Sequence, residues 1–473
     1  MDALLTIIAL LLPILLGSAW LHLLVPAQTT ARTTVVCSHG TLLGLMAIPL
    51  LMWAMNRAGL PLSFASTAAV ASGLIALAAL AGVLRRGKTR LTANAAAPHS
   101  SLSTAQRLLF ILLCLLLLVR VTTLGLEILW RPLFPWDATM HWATKARVWY
   151  AFNDMRPFVD NIVWLNMGGN GVFTDRHPEY PAMIPLLQVW MNLATGRWDE
   201  SLMNLPWLLC LIALGGAVYS QLRVSGVSAV VAIAGTYMLL SMPLLNIHVA
   251  LAGYADLFLG AAYCSGLMAF YNWRASGQRW QGLLVICFAL ACPLIKNEGL
   301  LWSLTFIPAL VFTIRTRHKM VKLIALCILG LALLWVLMIK NPVIVNQIVD
   351  LLTQFHPGGL TGIIKSIWLH DNWHLFGYLL LVMIPIGLFL KRTHTRAYLG
   401  VGIALACAVG LFLFMFLFTI FGIGASTFTG VGRLSIQLIP GLLFLTTLLA
   451  NELLTSGVSR SATTLQANHA QAH

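Results

Sequence analysis

The sequence predicts an all-α, polytopic transmembrane protein of about thirteen spans, with a long polar loop after the fourth. Three observations predict it. Of its 473 residues 59% are apolar and only 9% charged, with a mean hydropathy of +0.86, whereas a soluble domain is about a quarter charged. Apolar runs at 3–25, 108–129, 205–222, 323–339 and 401–421 come close to or exceed the roughly 18 residues that cross hydrocarbon as a helix. A membrane β-barrel would alternate polar and apolar residues over strands of about ten, and no such alternation is present. Helices are then the remaining way to satisfy every backbone amide inside lipid.

Breaking the chain at its charges places spans near 3–25, 39–56, 66–84, 108–130, 205–222, 227–247, 251–272, 281–296, 299–314, 320–340, 374–390, 398–421 and 434–450. The first is too long for a cleavable signal and has no basic residue before it, so it reads as a retained helix. The net charge of +15 is a loop surplus of Lys and Arg, which in a membrane protein marks orientation rather than nucleic-acid binding. Arg85, Arg86, Lys88, Arg90 and Arg107 mark one cytoplasmic loop, Arg223 a second, and Arg274 with Arg279 a third. Arg315, Arg317 and Lys319, then Lys391, Arg392 and Arg396, alternate correctly with these. That orientation puts 131–204, 341–373 and 422–433 outside the cytoplasm and the tail 451–473 within it. The organisation expected is a three-span module over 1–84, a basic linker over 85–107, and a core over 108–450.

Eight cysteines all lie in or beside apolar runs with no CxxC spacing, so no disulfide and no cysteine metal site are expected. Carboxylates are distributed less evenly. The loop 131–204 holds seven of the fourteen, Asp137, Asp154, Asp160, Asp175, Glu179, Asp199 and Glu200, which marks it as the place to look for chemistry.

The loop opens on Pro135-Trp136-Asp137-Ala138-Thr139-Met140-His141-Trp142-Ala143-Thr144-Lys145. As a helix at 100° per residue this puts Asp137, His141, Thr144 and Lys145 on one face and Trp142, Ala146 and Trp149 on the other. The expectation is an interfacial helix with its tryptophans at headgroup level and its polar face in water. Asp137 has a plainer reading as the helix N-cap. Further on, Asp175-Arg176-His177-Pro178-Glu179-Tyr180-Pro181 leads into an apolar helix whose start the prolines hold. His177 and Glu179 match no metal-ligand spacing, and a plain turn is their alternative.

Two more clusters sit at the ends of apolar runs, where a charge is costly and points to function. They are Gly253-Tyr254-Ala255-Asp256 and Lys296-Asn297-Glu298-Gly299, with an internal salt bridge of Asp256 or Glu298 to Lys296 as the structural alternative. Thr427-Phe428-Thr429-Gly430-Val431-Gly432-Arg433 precedes the last span, and the forked guanidinium of Arg433 suits a phosphate if it does not simply snorkel at the boundary.

On these residues the chain resembles the GT-C superfamily of membrane glycosyltransferases. Trp136-Asp137 at the head of a long external loop, a second external acid at Asp256, the Lys296-Asn297-Glu298-Gly299 bend and Arg433 before a late span carry the resemblance, over about 108–450. The mixture looks like bacterial relatives of the protein mannosyltransferase and aminoarabinose transferase branches. The resemblance implies transfer of a sugar, with inversion, from a polyprenyl-phosphate or diphosphate donor to a glycan, lipid or protein acceptor outside the inner membrane. It implies two catalytic residues, Asp137 as general base and Asp256 to orient the acceptor or a cation. His141, Lys145, His177, Glu179, Tyr180, Lys296, Glu298 and Arg433 are then expected around the substrates, the cations among them on phosphate. The long loop lacks Asp-x-Asp and Glu-x-Asp, so a divalent metal has no clear ligand motif, and a large C-terminal soluble domain is missing from the pattern. A transporter or flippase of an anionic or lipid-linked solute is the rival class, usually with broken helices at the midplane in two related halves. A scaffold without catalysis would leave the one-sided charge cluster unexplained.

Overall fold

A computed structural model describes residues 2–86, 102–314, 355–390 and 395–471, with single positions at 321, 324, 328 and 393. Most of the expected span at 320–340, Lys88 and Arg90 of the linker, Arg315, Arg317, Lys319, Lys391, Arg392, Cys327 and the first part of 341–373 lie outside the described residues.

The chain is mainly helical, as an all-α membrane protein requires. Helices α1 (Asp2–Leu24), α2 (Arg32–Arg57) and α3 (Phe64–Arg86) are followed by α4 (Thr104–Trp130). Ser103 and Gln106 close a reciprocal capping box at the start of α4, satisfying amides that a helix end otherwise leaves open. Inside the loop come α5 (Thr144–Phe152), α6 (Asn161–Asn166) and α7 (Met183–Thr195), with a short parallel pair of Phe158–Val159 and Phe173–Thr174. The core continues with α8 (Leu205–Val224), α9 (Ala229–Leu240), α10 (Pro243–Ala250), α11 (Asp256–Ser276), α12 (Arg279–Ile295), α13 (Gly299–Leu304) and α14 (Phe306–Thr313). After the undescribed stretch come α15 (Pro357–Ile364), α16 (Phe376–Phe389), α17 (Arg396–Phe418), α18 (Phe421–Ser426), α19 (Val431–Ile436) and α20 (Ile439–Gln471).

Among the described residues six helices are long and apolar enough to cross a membrane, or seven if the bent pair α9–α10 is one span; shorter apolar helices cover the expected spans around 281–296, 299–314, 374–390 and 434–450. The structure departs from uniform spans in four places. The expected span 227–247 bends by 60° between α9 and α10, because Pro243 at the start of α10 has no amide to continue the ladder. The span expected at 299–314 divides at Thr305. The span expected from residue 251 begins only at Asp256, after Gly253 takes a left-handed conformation with φ of 108°. The last helix runs on to Gln471, past the end expected for the last span at residue 450.

Every residue of α11 from Asp256 to Asn272 is buried, as expected of a central helix apolar on all sides. Around it pack α8, α12, α17 and α20. α4 is the converse: only Leu124 and Ile128 are buried, and its exposed leucines form a lipid-facing surface. The first three helices join this body. α1 and α2 cross so closely that a Cβ on Gly17 would fall 1.8 Å from the carbonyl oxygen of Gly40, the small-residue approach common between membrane helices. The indole of Trp190 in α7 donates to Ala9 O at 2.9 Å, and Gln221 in α8 meets His39 at 3.1 Å inside the body.

Helix direction fixes where the polar groups gather. The end of α4, the start of α8 and α11, the end of α12 and the start of α20 share one end of the body, where Trp207 of α8 donates to Tyr254 O at 2.8 Å and Gln437 reaches Asp256 at 2.6 Å. Arg107, Arg223, Arg274, Arg279 and Arg396 stand at the opposite ends of their helices.

Candidate active site

Four segments far apart in sequence converge at that end. Asp137 heads the loop, Asp256 begins α11, Lys296 and Glu298 form the α12–α13 bend, and Arg433 lies in α19. Arg433 Nη1 donates to Asp137 Oδ2, and its Nε lies 3.4 Å from Asp256 Oδ2. Lys296 Nζ lies 3.0 Å from Asp256 Oδ1 and 3.1 Å from Glu298 Oε1. The internal salt bridge expected as the structural alternative for Asp256 and Lys296 is present, and it is continuous with Asp137 through Arg433.

This network has a sealed side and an open side. Asp256 is fully buried and Lys296 nearly so, whereas the side chains of Asp137 and Arg433 retain 29% and 24% exposure. Asp256 is held from within by Gln437, whose Nε2 donates to Asp256 Oδ1 at 2.6 Å while its Oε1 accepts from the Trp302 indole at 2.6 Å. Asp256 thus holds the two cations from within, and Asp137 is the most exposed of the three carboxylates around them. The guanidinium of Arg433 also covers the Tyr254 ring at 4.3 Å. Burial alone would lower its pKa, but Asp256 and Asp137 reverse this and hold it above the usual arginine range.

A second cluster adjoins the first. Asp175, fully buried, accepts from His141 Nδ1 at 2.6 Å through one oxygen and pairs with Lys145 Nζ at 3.2 Å through the other. Lys145 also donates to His177 O at 2.6 Å, and the His177 amide donates to Asp175 Oδ1 at 3.0 Å. Tyr180 is sandwiched, with Trp142 at 4.8 Å on one face and His177 at 4.7 Å on the other. Burial, modulated by the charges of Lys296, Glu298, Asp137 and Arg433, pushes the Tyr180 phenol up to about 12. Desolvation lowers the Lys145 pKa against the pull of Asp175.

Several expectations need correction. The interfacial helix with a wet polar face and tryptophans in the headgroups is absent. Residues Ala138–Ala143 form a π turn that runs into α5, and this wider turn departs from the 100° spacing. Trp142, Ala146 and Trp149 are buried in the protein, and so is Lys145, because Asp175 draws its ammonium inward. Asp137 makes no capping hydrogen bond; Arg433 takes its carboxylate instead. His177 and Glu179 bond each other at 3.2 Å rather than converging on a third ligand, and among the described residues no three His, Cys, Asp or Glu are grouped to hold a metal. The seven described cysteines are free thiols.

Of the seven loop carboxylates only Asp137, Asp175 and Glu179 enter the clusters. Asp160 caps α6, Asp199 accepts from the amides of Ser201 and Leu202, Asp154 pairs with Arg156, and Glu200 accepts from Trp198. Asp175 was not singled out as a site residue, nor were Tyr254, Trp302 and Gln437. Position just before His177 was the available signal for Asp175. Gln437 and Trp302 carry none, since an amide and an indole inside apolar runs look like ordinary helix content.

Compared with known proteins, the chain matches no family model, no curated protein and no solved structure, so the functional argument rests on the geometry of this site.

Proposed function

We infer that the chain is a GT-C-type membrane glycosyltransferase, which moves a sugar from a polyprenyl-phosphate or diphosphate donor to an acceptor hydroxyl outside the bacterial inner membrane. The observation that carries this reading is the pairing of a partly exposed carboxylate, Asp137, with a partly exposed guanidinium, Arg433, backed by the buried Asp256 and Lys296. Glycosyl transfer from a lipid phosphate needs a base for the hydroxyl and a forked cation for the phosphate, side by side at the membrane boundary.

In the resting site three carboxylates, Asp137, Asp256 and Glu298, face the two cations Arg433 and Lys296. An added phosphate is stable there only if a carboxylate withdraws, and Asp137 is the one with room to do so. The donor phosphate then takes Arg433 and releases Asp137 as a base. The acceptor O–H gives its proton to Asp137, the acceptor oxygen bonds to the anomeric carbon, and the bond from that carbon to the phosphate oxygen breaks with its electrons leaving on the lipid phosphate. Attack opposite the bulky lipid phosphate inverts the anomeric centre. His141 is the second group suited to proton transfer, because Asp175 engages its Nδ1 and leaves Nε2 without a protein partner among the described residues.

A transporter would carry its charges near the midplane; the grouping of these charges at one end of the helices favours chemistry at a boundary. Purified protein should release the sugar of a radiolabelled polyprenyl-phosphate donor onto an acceptor, and movement of intact donor across a vesicle membrane without release would establish the transporter instead.

The complete reading keeps about thirteen spans and an external loop over 131–204, supported by the basic residues at the helix ends away from the site. A cysteine at Asn170, in an exposed turn, should react with an impermeant thiol reagent once any outer barrier is opened. Labelling that appears only after the inner membrane is lysed would reverse the orientation and remove the site from the outside.

A further inference from the structure

The buried apolar side chains fall into two clusters. The larger fills the body around α11. The smaller draws its buried members from residues 9–71 and 143–203: Ala9 and Leu12 of α1, Met52 of α2 and Leu62 pack with Trp149 of α5 and Trp190 of α7. The backs of α5 and α7 therefore bury their apolar surface against the three N-terminal helices, which lie outside the 108–450 core.

Polar contacts fix the register of that packing. Asn56, near the end of α2, donates from Nδ2 to Asp154 Oδ1 at 3.0 Å, and its Oδ1 accepts from the Met155 amide at 3.2 Å. Beside it the Leu62 amide donates to Asn153 O at 2.7 Å. Asn153 closes α5 in the left-handed region with φ of 49°, which asparagine tolerates better than most residues. At α7 the Trp190 indole that donates to Ala9 O also lies 4.5 Å from the Phe64 ring of α3. The turn between α2 and α3 thus holds the end of α5, while α1 and α3 hold the middle of α7.

These two helices carry the two halves of the His141–Asp175–Lys145 cluster. His141 and Lys145 come from the π turn and the first turn of α5, and Asp175, His177 and Tyr180 from the approach to α7. With nine residues, α5 is about 14 Å long, short and stiff enough that a shift at Asn153 is carried to Lys145, His141 and, across the π turn, Asp137. Arg433, Lys296 and Asp256 stand instead on α19, the end of α12 and the start of α11, whose apolar residues belong to the larger cluster. The N-terminal helices are therefore placed to set the loop's side of the site independently of the cations, and an error of about 1 Å in such geometry can cost roughly a hundredfold in rate.

Resting on the glycosyltransferase reading, we propose that the three N-terminal helices are a clamp that positions the external loop for sugar transfer, with Asn56 as the positioning residue that grips the end of α5. A carboxamide suits this place because it both donates to the Asp154 carboxylate and accepts from the Met155 amide. An aspartate at position 56 still accepts from Met155 but sets a like charge against Asp154. Exchanging the two groups, Asn56→Asp together with Asp154→Asn, restores a donor and an acceptor across the contact with the net charge unchanged.

The test compares the full-length parent, Asn56→Asp and the exchanged double variant in nanodiscs by kinetics and by amide hydrogen exchange. Asn56→Asp is expected to lower kcat about tenfold or more with the donor dissociation constant and the unfolding temperature of the parent, and the double variant to recover most of that rate. Exchange of the amides in 138–152 and 175–182 should quicken in Asn56→Asp and slow again in the double variant, with α11 unaffected throughout. Parental rate and exchange in Asn56→Asp would overturn the proposal. So would a lowered unfolding temperature with fewer donor sites, normal turnover per site and no recovery in the double variant, since Asn56 would then serve folding alone. Exchange reads the clamp without sugar transfer: the expected exchange pattern in a parent that releases no sugar would sink the enzymatic reading, and unaltered exchange in an active parent would sink only the clamp.

Discussion

Asp137→Asn should lower sugar transfer by roughly two or more orders of magnitude, the usual scale of losing a general base, while tightening the binding of donor. The second half distinguishes this reading from others. Arg433 is held in the resting protein by the Asp137 carboxylate, so removing that charge frees the guanidinium for phosphate. Asparagine keeps the shape of the side chain, and no capping bond is lost because the Asp137 carboxylate makes none. Rate and donor dissociation constant should therefore fall together in a protein of unchanged unfolding temperature. Arg433→Lys should show the opposite trend in binding, because an ammonium cannot reproduce the fork that grips a phosphate. Near-normal turnover in Asp137→Asn would pass the role of base to His141, and His141→Gln is the next variant to assay.

Lys296→Met should destabilise the protein by roughly 3–5 kcal/mol, the cost of leaving a buried carboxylate without its main partner. Asp256 is fully buried, and Lys296 supplies its 3.0 Å ion pair, Arg433 a longer one at 3.4 Å and Gln437 a neutral hydrogen bond. Adding Asp256→Leu to Lys296→Met should recover much of that loss, because removing both charges also removes the burial cost. Unfolding in detergent, followed for the two single variants and the double variant, measures the coupling. A Lys296→Met protein as stable as its parent, with weakened donor binding, would show instead that Lys296 serves the phosphate directly and that Asp256 is satisfied by Arg433 and Gln437.

How much of this was legible beforehand differs from residue to residue. Asp137, Asp256, Lys296, Glu298 and Arg433 stood out because each charge borders an apolar run, a local property, and the structure brings these five together. Their partners did not stand out. Asp137 and Arg433 are 296 positions apart, and no feature of either neighbourhood names the other. Lys145 looked like a water-facing ammonium because helical spacing put it beside Asp137, yet it turns inward to Asp175, 30 positions further on, through a π turn that the 100° spacing does not anticipate.

What the sequence determined by itself is the solvent and the gathering of charge at the helix ends. Hydropathy summed over a span makes helices in lipid the stable state, and charges collect at helix ends because lipid rejects them at the centre. What only the tertiary structure decided is which charges neutralise which and where α9 breaks into α10. Those outcomes depend on distances between helices distant in the chain, and inside lipid a single ion pair or hydrogen bond across such a gap outweighs the weak local preferences that a linear reading can sum.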